Sequence, residues 1–146
     1  MTDLYEADVV VWSDEQAALL RRLASGERVN DLIDWANVIE EIESVGNEQI
    51  HAVSSFLTQA IVHRLKAMAW PDARDADNWR AEAERFAGDA ADRFTPAMRQ
   101  RLDFARIYKR ALRAVPATMY GVAQPSLPAE SPWTLDELLG NESDAA

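Results

Sequence analysis

Glu48 and His51 stand three residues apart in the stretch WANVIEEIESVGNEQIHAVSSFLTQAIVHRLKAMAW, residues 35–70. On a helix that spacing turns a carboxylate and an imidazole to the same side. Carboxylate-bridged di-iron bundles draw two Glu-x-x-His pairs and two further glutamates from such helices. Only one pair is present here, because the other histidine, His63, has Ala60 three residues before it. A metal centre would therefore need two copies of the chain about a two-fold axis. At 100° per residue, Glu48 and His51 both fall on the polar side, His51 near its middle. The pattern predicts solvent-facing side chains, no bound metal and no cofactor.

His63 is placed differently, at the edge of the apolar stripe beside Phe56, where a titratable ring can be tuned by its neighbours. It is expected to be mostly buried and bonded to protein. With Lys66, and with Glu41 nearby, it makes the one combination that could serve a hydrolase or a small-ligand binder. Arg64 falls near the middle of the apolar stripe between Leu57 and Met68, where an unpaired charge is costly. It must snorkel, face another chain or find a carboxylate, with Glu43 or an acidic residue of another helix the first to check. Glu40, Glu41 and Glu43 spread round the helix rather than converging, so they do not read as a cation site. Nucleophile elbows, glycine-rich phosphate loops and paired catalytic carboxylates are not recognisable.

The elements that must position these residues are helical. WSDEQAALLRRLASGE opens with Ser13 three residues before Gln16, a capping-box pattern, and predicts a helix over 14–24 ended by Gly26. Asp34 can cap a second helix running to about Met68, before Pro71. Ile39, Ile42, Gly46, Ile50, Val53, Leu57, Ala60, Ile61 and Met68 would make its apolar side. Glu40, Glu41, Ser44, Glu48, His51, Ser55, Gln59 and Lys66 would make its polar side. Unbroken, it would be on the order of 50 Å long, against roughly 35 to 40 Å for a compact chain of this size. A bend around Ser44 to Gly46, or a protrusion into a partner, is expected.

Asp75 or Asp77 can cap a third helix with the apolar face Trp79, Ala83, Phe86, Ala87 and Ala90. Thr95 and Pro96 can start a fourth, running to about Ala114. Its apolar side carries Phe104, Tyr108, Ala111, Leu112 and Val115. The opposite side carries a basic stripe of Arg99, Arg106, Lys109, Arg110 and Arg113. Four prolines from Pro116 to Pro132 make an extended connector, and Thr134 can cap a short last helix, LDELLG. Only ADVVVW shows strand-length apolar character. The fold expected is all-α, an irregular bundle of four main helices plus a short C-terminal one, forming a single domain over residues 1–140 with a disordered polar tail over 141–146.

Composition narrows the classes further. Of 146 residues, 48% are hydrophobic and 27% charged, within the ordinary globular range. Apolar runs such as Val9–Trp12 are far too short to cross a bilayer, and MTDLYEAD lacks the basic start and apolar stretch of a secretory signal, so a cytoplasmic protein without membrane contact is expected. No cysteine is present, which removes disulfides, thiolate metal sites and cysteine nucleophiles. A net charge of −10 argues against direct nucleic-acid binding. Residues 64–113 hold 12 basic and 8 acidic residues, a basic island in an acidic chain.

LYEADVVVWSDEQAALLRRL, IEEIESVGNEQ, HRLKAMAW, NWR and SPWTLDELL, in that order, resemble the bacterial domain-of-unknown-function family numbered twenty-nine. The resemblance covers nearly the whole chain. It implies an all-helical protein with no assigned activity, in which Tyr5, Asp8, Trp12, Glu40, Glu41, Ser44, Gly46, His63, Lys66, Trp79 and Arg80 occupy motif positions. Arg64 departs from that pattern, where an aliphatic residue is usual. Taken together, these features predict a non-enzymatic helical interaction module. It would bind a protein partner or its own copy through the acidic arc of Glu40, Glu41 and Glu48, the basic stripe, and Arg64. The alternative is an enzyme whose metal-dependent or His/Lys-based site is assembled at a dimer interface.

Overall fold

Asp8, and not Ser13, starts the first long helix. In the computed structural model, which describes residues 3–141, the Asp8 carboxylate accepts the N–H groups of Val10 and Val11, both at 3.1 Å. Helix α2 accordingly spans Val9–Ala24, preceded by the short α1, Leu4–Ala7. The apolar ADVVVW stretch is therefore helical, because a cap that satisfies two orphan donors outweighs the modest strand preference of three valines. Ser13 lies inside α2, its hydroxyl donating to the carbonyl of Val10 at 2.8 Å. Gly26 ends the helix in the left-handed region, φ 100°, as its position predicted.

A 3₁₀ turn, Asn30–Leu32, leads into α3, Trp35–Ala69. Packing divides the chain into two units, Met1–Asn47 and Glu48–Ala146, so α3 contributes its first stretch to one and its second to the other. The division falls beside Gly46. The first unit has a small core of Trp12, Ile33 and Val38 with Leu4, Tyr5, Leu19, Leu20 and Leu23 packed against it. Here α3 uses Val38 for burial, which leaves Ile39 and Ile42, expected on the apolar side, 51% and 68% exposed.

The second unit holds the larger core. Val53, Leu57, Ala60 and Ile61 of α3 are all buried, at the helical spacing that predicted them, and Leu65, which the expected face did not include, is buried with them. Met68, assigned to the same face, is exposed. Helix α4, Ala76–Arg93, buries Trp79, Ala83, Ala87 and Ala90, with Phe86 half-buried. Contacts of His63 with Phe86 and of Lys66 with Trp79 pair rising positions on α3 with falling ones on α4, so the two helices run antiparallel. Asp75 sits at the start of α4 without capping it, because its carboxylate accepts the Tyr120 hydroxyl instead.

Pro96 begins only a 3₁₀ turn, Pro96–Met98, where Thr95 makes no side-chain cap bond. Helix α5 starts later, at Phe104–Ala114, where the Asp103 carboxylate accepts the N–H of Arg106 at 3.1 Å. It buries Ile107, Tyr108 and Ala111. The connector carries a two-residue hairpin, β1 Thr118–Met119 and β2 Val122–Ala123, antiparallel in the register Thr118 to Ala123. Tyr120 and Gly121, at φ 51° and 78°, form its loop, the positive pair that a type I′ turn requires. The last helix, α6, Leu135–Leu138, has the full capping box of Thr134 and Glu137. Leu138 and Leu139 enter the core. The architecture is all-α, with α2 to α5 as the long helices. Of the expected tail, Asn141 donates to the Asp136 carbonyl at 2.9 Å, and residues 142–146 lie outside the described residues. Among the described residues no helix is long and apolar enough to cross a membrane.

Candidate functional site

In the first unit, Tyr5, Asp8, Trp12 and Glu41 are engaged with one another or with the backbone. The Tyr5 hydroxyl donates to Oε1 of Glu41 at 2.5 Å. Its ring stands edge-on to Trp12, centroids 4.8 Å apart. Trp12 in turn donates its indole N–H to Oδ2 of Asp34 at 3.0 Å, and Asn37 donates to the same oxygen at 2.7 Å. Gln16, buried in α2, accepts the Asp34 N–H at 2.8 Å. Asp34 thus caps α3 and also holds α2 against it. Bonds from Asn37 and Trp12 to the charged form keep its carboxyl below the ordinary range. Donation to Glu41, followed by burial and by the charges of Glu41, Glu40 and Asp34, pushes the Tyr5 phenol up to about 12. Glu40 is exposed, and the Ser44 hydroxyl donates back to the Glu40 carbonyl at 2.8 Å. Gly46 lies on exposed helix beside the unit boundary.

In the second unit, Nδ1 of His63 meets the Gln59 carbonyl at 2.7 Å and its ring packs on Phe86, centroids 5.4 Å apart. It is half-buried and bonded to protein, less enclosed than its place on the apolar edge predicted. Lys66 rests its ammonium 4.7 Å from the Trp79 ring centroid. Arg80 pairs with Asp77 at 2.7 Å. Glu48 and His51 are both exposed. Among the described residues no three of the His, Asp and Glu side chains are grouped as metal ligands would be.

Arg64 has found an acidic residue of another helix. Its Nη2 lies 3.4 Å from Oε1 of Glu84, with the guanidinium 5.3 Å from the Trp133 ring centroid. Glu43, the other candidate partner, is exposed. Arg99 lies outside α5 and grips Asp136 with two bonds, at 2.7 and 3.3 Å. That pairing raises the guanidinium pKa and lowers that of the carboxyl. Arg106, Lys109, Arg110 and Arg113 remain as an exposed basic face of α5, and none of the four has an ion-pair partner among the described residues.

Concavities among the described residues accompany these faces. One, of about 340 Å³, lies between Trp70, Pro71 and Ala73 and the hairpin residues Met119, Tyr120 and Val122. Trp70 closes its edge by donating its indole N–H to the Val122 carbonyl at 3.1 Å. Another, of about 440 Å³, lies between α3, α4 and Trp133. Sequence reasoning missed Gln16, Glu84 and Trp133 as structural partners. The available signals were a polar residue within the apolar face of α2 and an indole that needs an acceptor when buried.

A solved α-helical protein of unknown function from Rhodospirillum rubrum ATCC 11170 is similar to this chain, with 31% identity and a TM-score of 0.69 over 97% of this chain and 92% of that one. No curated protein matches it. Residues 4–143 match the family described as Domain of unknown function DUF29. Sequence and fold agree over the length of the chain, and the protein belongs to the DUF29 family.

Proposed function

We propose that residues 1–140 act as a non-enzymatic interaction module, binding an acidic protein surface or a second copy of the chain through the basic face of α5. One observation carries the reading. In a chain of net charge −10, Arg106, Lys109, Arg110 and Arg113 stand exposed on one helix face without a carboxylate partner among the described residues. Arg22, Arg64, Arg80, Arg85 and Arg99 all have one. A segregated face of one sign steers association and fixes register with a complementary surface. On a second copy, the exposed Glu40 and Glu43 of the first unit offer complementary carboxylates, whereas Glu41 is occupied by Tyr5.

Light scattering at low and high salt tests self-association, and titration with poly-glutamate tests an acidic partner. The expected result is a mass or an affinity that falls as salt shortens the screening length to about 3 Å at 1 M, and that is lost in Arg106→Glu/Arg110→Glu. A protein that stays monomeric and ignores poly-glutamate at low salt would overturn the proposal.

A further inference from the structure

Arg64 sits on the second stretch of α3 with its side chain only 22% exposed, while Glu84, its carboxylate partner, is 75% exposed. One contact at 3.4 Å is a long pairing for a guanidinium that carries five N–H donors in a fixed fork. Its other described neighbour is the face of Trp133, which attracts the charge and offers no acceptor. The cation is thus partly shielded from water and held by a single protein acceptor, and its remaining N–H groups stay open to an added anion.

The space beside it suits more than a bare anion. Arg64 lines the concavity of about 440 Å³ together with Ala67, Met68, Ala83 and Trp133. That volume falls in the range of small-ligand pockets, which combine apolar walls with a few polar groups. Arg80 and Glu84, one turn apart on α4, complete the lining. Arg80 is already paired with Asp77 at 2.7 Å, so Arg64 is the cation this groove offers to a ligand.

From this arrangement we infer that the α3–α4–Trp133 groove binds a carboxylate carried on an apolar residue. The carboxylate takes the fork of Arg64 in place of Glu84, and the apolar part lies against Trp133 and Met68. Glu84 is then a competitor, an internal stand-in that the ligand displaces. The same chemistry is presented by a free small acid and by the C-terminus of a polypeptide ending in an apolar residue. The groove is separate from the α5 face, so the two readings stand or fall independently.

Calorimetric titration of the full chain with N-acetyl-leucine, N-acetyl-leucinamide and the peptide acetyl-Ala-Ala-Ala-Leu distinguishes the cases. The free acid or the peptide should bind, and the amide should bind at least about tenfold more weakly, the size of effect expected when one charge-assisted pair is removed. Arg64→Met should abolish binding, with Arg64→Gln as a second variant should the first unfold, and thermal unfolding checked for both. Glu84→Gln should tighten binding several-fold, an effect of opposite sign that general damage to the groove would not produce. Binding by the peptide alone assigns the site to chain termini, and binding by both acids assigns it to small carboxylates as well. No binding by either acid, equal binding of acid and amide, an unaffected Arg64→Met, or weakened binding in Glu84→Gln would each overturn the inference.

Discussion

The phenol of Tyr5 donates a 2.5 Å hydrogen bond to Glu41 across 36 residues of sequence, tying α1 to α3. The bond fastens α1 in the first unit, where none of its residues is fully buried and Leu4 and Tyr5 pack part-buried against the small core.

Tyr5 should titrate near 12 in the folded chain, against an ordinary value of 10.0. A phenol whose folded value is raised contributes stability that is fully present below the unfolded value and is lost as pH rises through the folded one. Alkaline unfolding of the first unit should therefore steepen between about 10 and about 12. Ultraviolet titration of tyrosinate checks this. In Tyr5→Phe the highest step should vanish, and a profile unchanged by that substitution would show that the bond does not form in solution.

Asp34 predicts the opposite window. Its carboxyl is held below 3.8 by Asn37 and Trp12. The stability it contributes is present above that value and disappears as pH falls through the lower folded one. The Trp12 indole N–H resonance should keep its bonded shift down to pH 3.8 and move only below it. Asp34→Ala should release that resonance at neutral pH and destabilise the first unit.

Tyr108 is 2% exposed and donates its hydroxyl to the Pro128 carbonyl at 2.5 Å, anchoring the proline-rich connector on α5. Tyr108→Phe should cost about 1 kcal/mol, the usual net worth of such a bond. Chemical denaturation measures the loss, and hydrogen exchange should rise first in residues 117–128. An unchanged denaturation midpoint would mean that the connector is held by other contacts.

His51 should matter little. It is exposed, and exposed substitutions usually change stability by no more than about 0.5 kcal/mol. His51→Ala should keep the parent melting temperature, and elemental analysis should show no stoichiometric iron or manganese lost with it. A metal that leaves in the variant would restore the dimer-interface enzyme.

In the second unit the helical faces were legible because helical spacing is local. Trp79, Ala83, Ala87 and Ala90 recur every three or four residues and cannot avoid sharing one side of α4. Thr134 with Glu137, and Gly26 past the end of α2, were legible for the same reason, since a cap involves residues within one turn. Local reading failed where two caps competed. Asp8 and Ser13 both offer an oxygen, and Thr95 and Asp103 do likewise. Only the folded backbone decides which oxygen meets the orphan donors.

By itself, then, the sequence determined the all-helical class, the phase of most helix faces and the segregation of charge that leaves α5 basic. Tertiary structure decided what those faces meet. Spacing predicts that Arg64 lies in an apolar stripe, but not that Glu84 and Trp133, 20 and 69 positions away, come to it. Nor could it show that α3 would bury Val38 and leave Ile39 and Ile42 in the open. A wheel angle gives a side chain's direction within its own helix. Burial and pairing depend on which other element occupies that direction, and that is a property of the assembled chain.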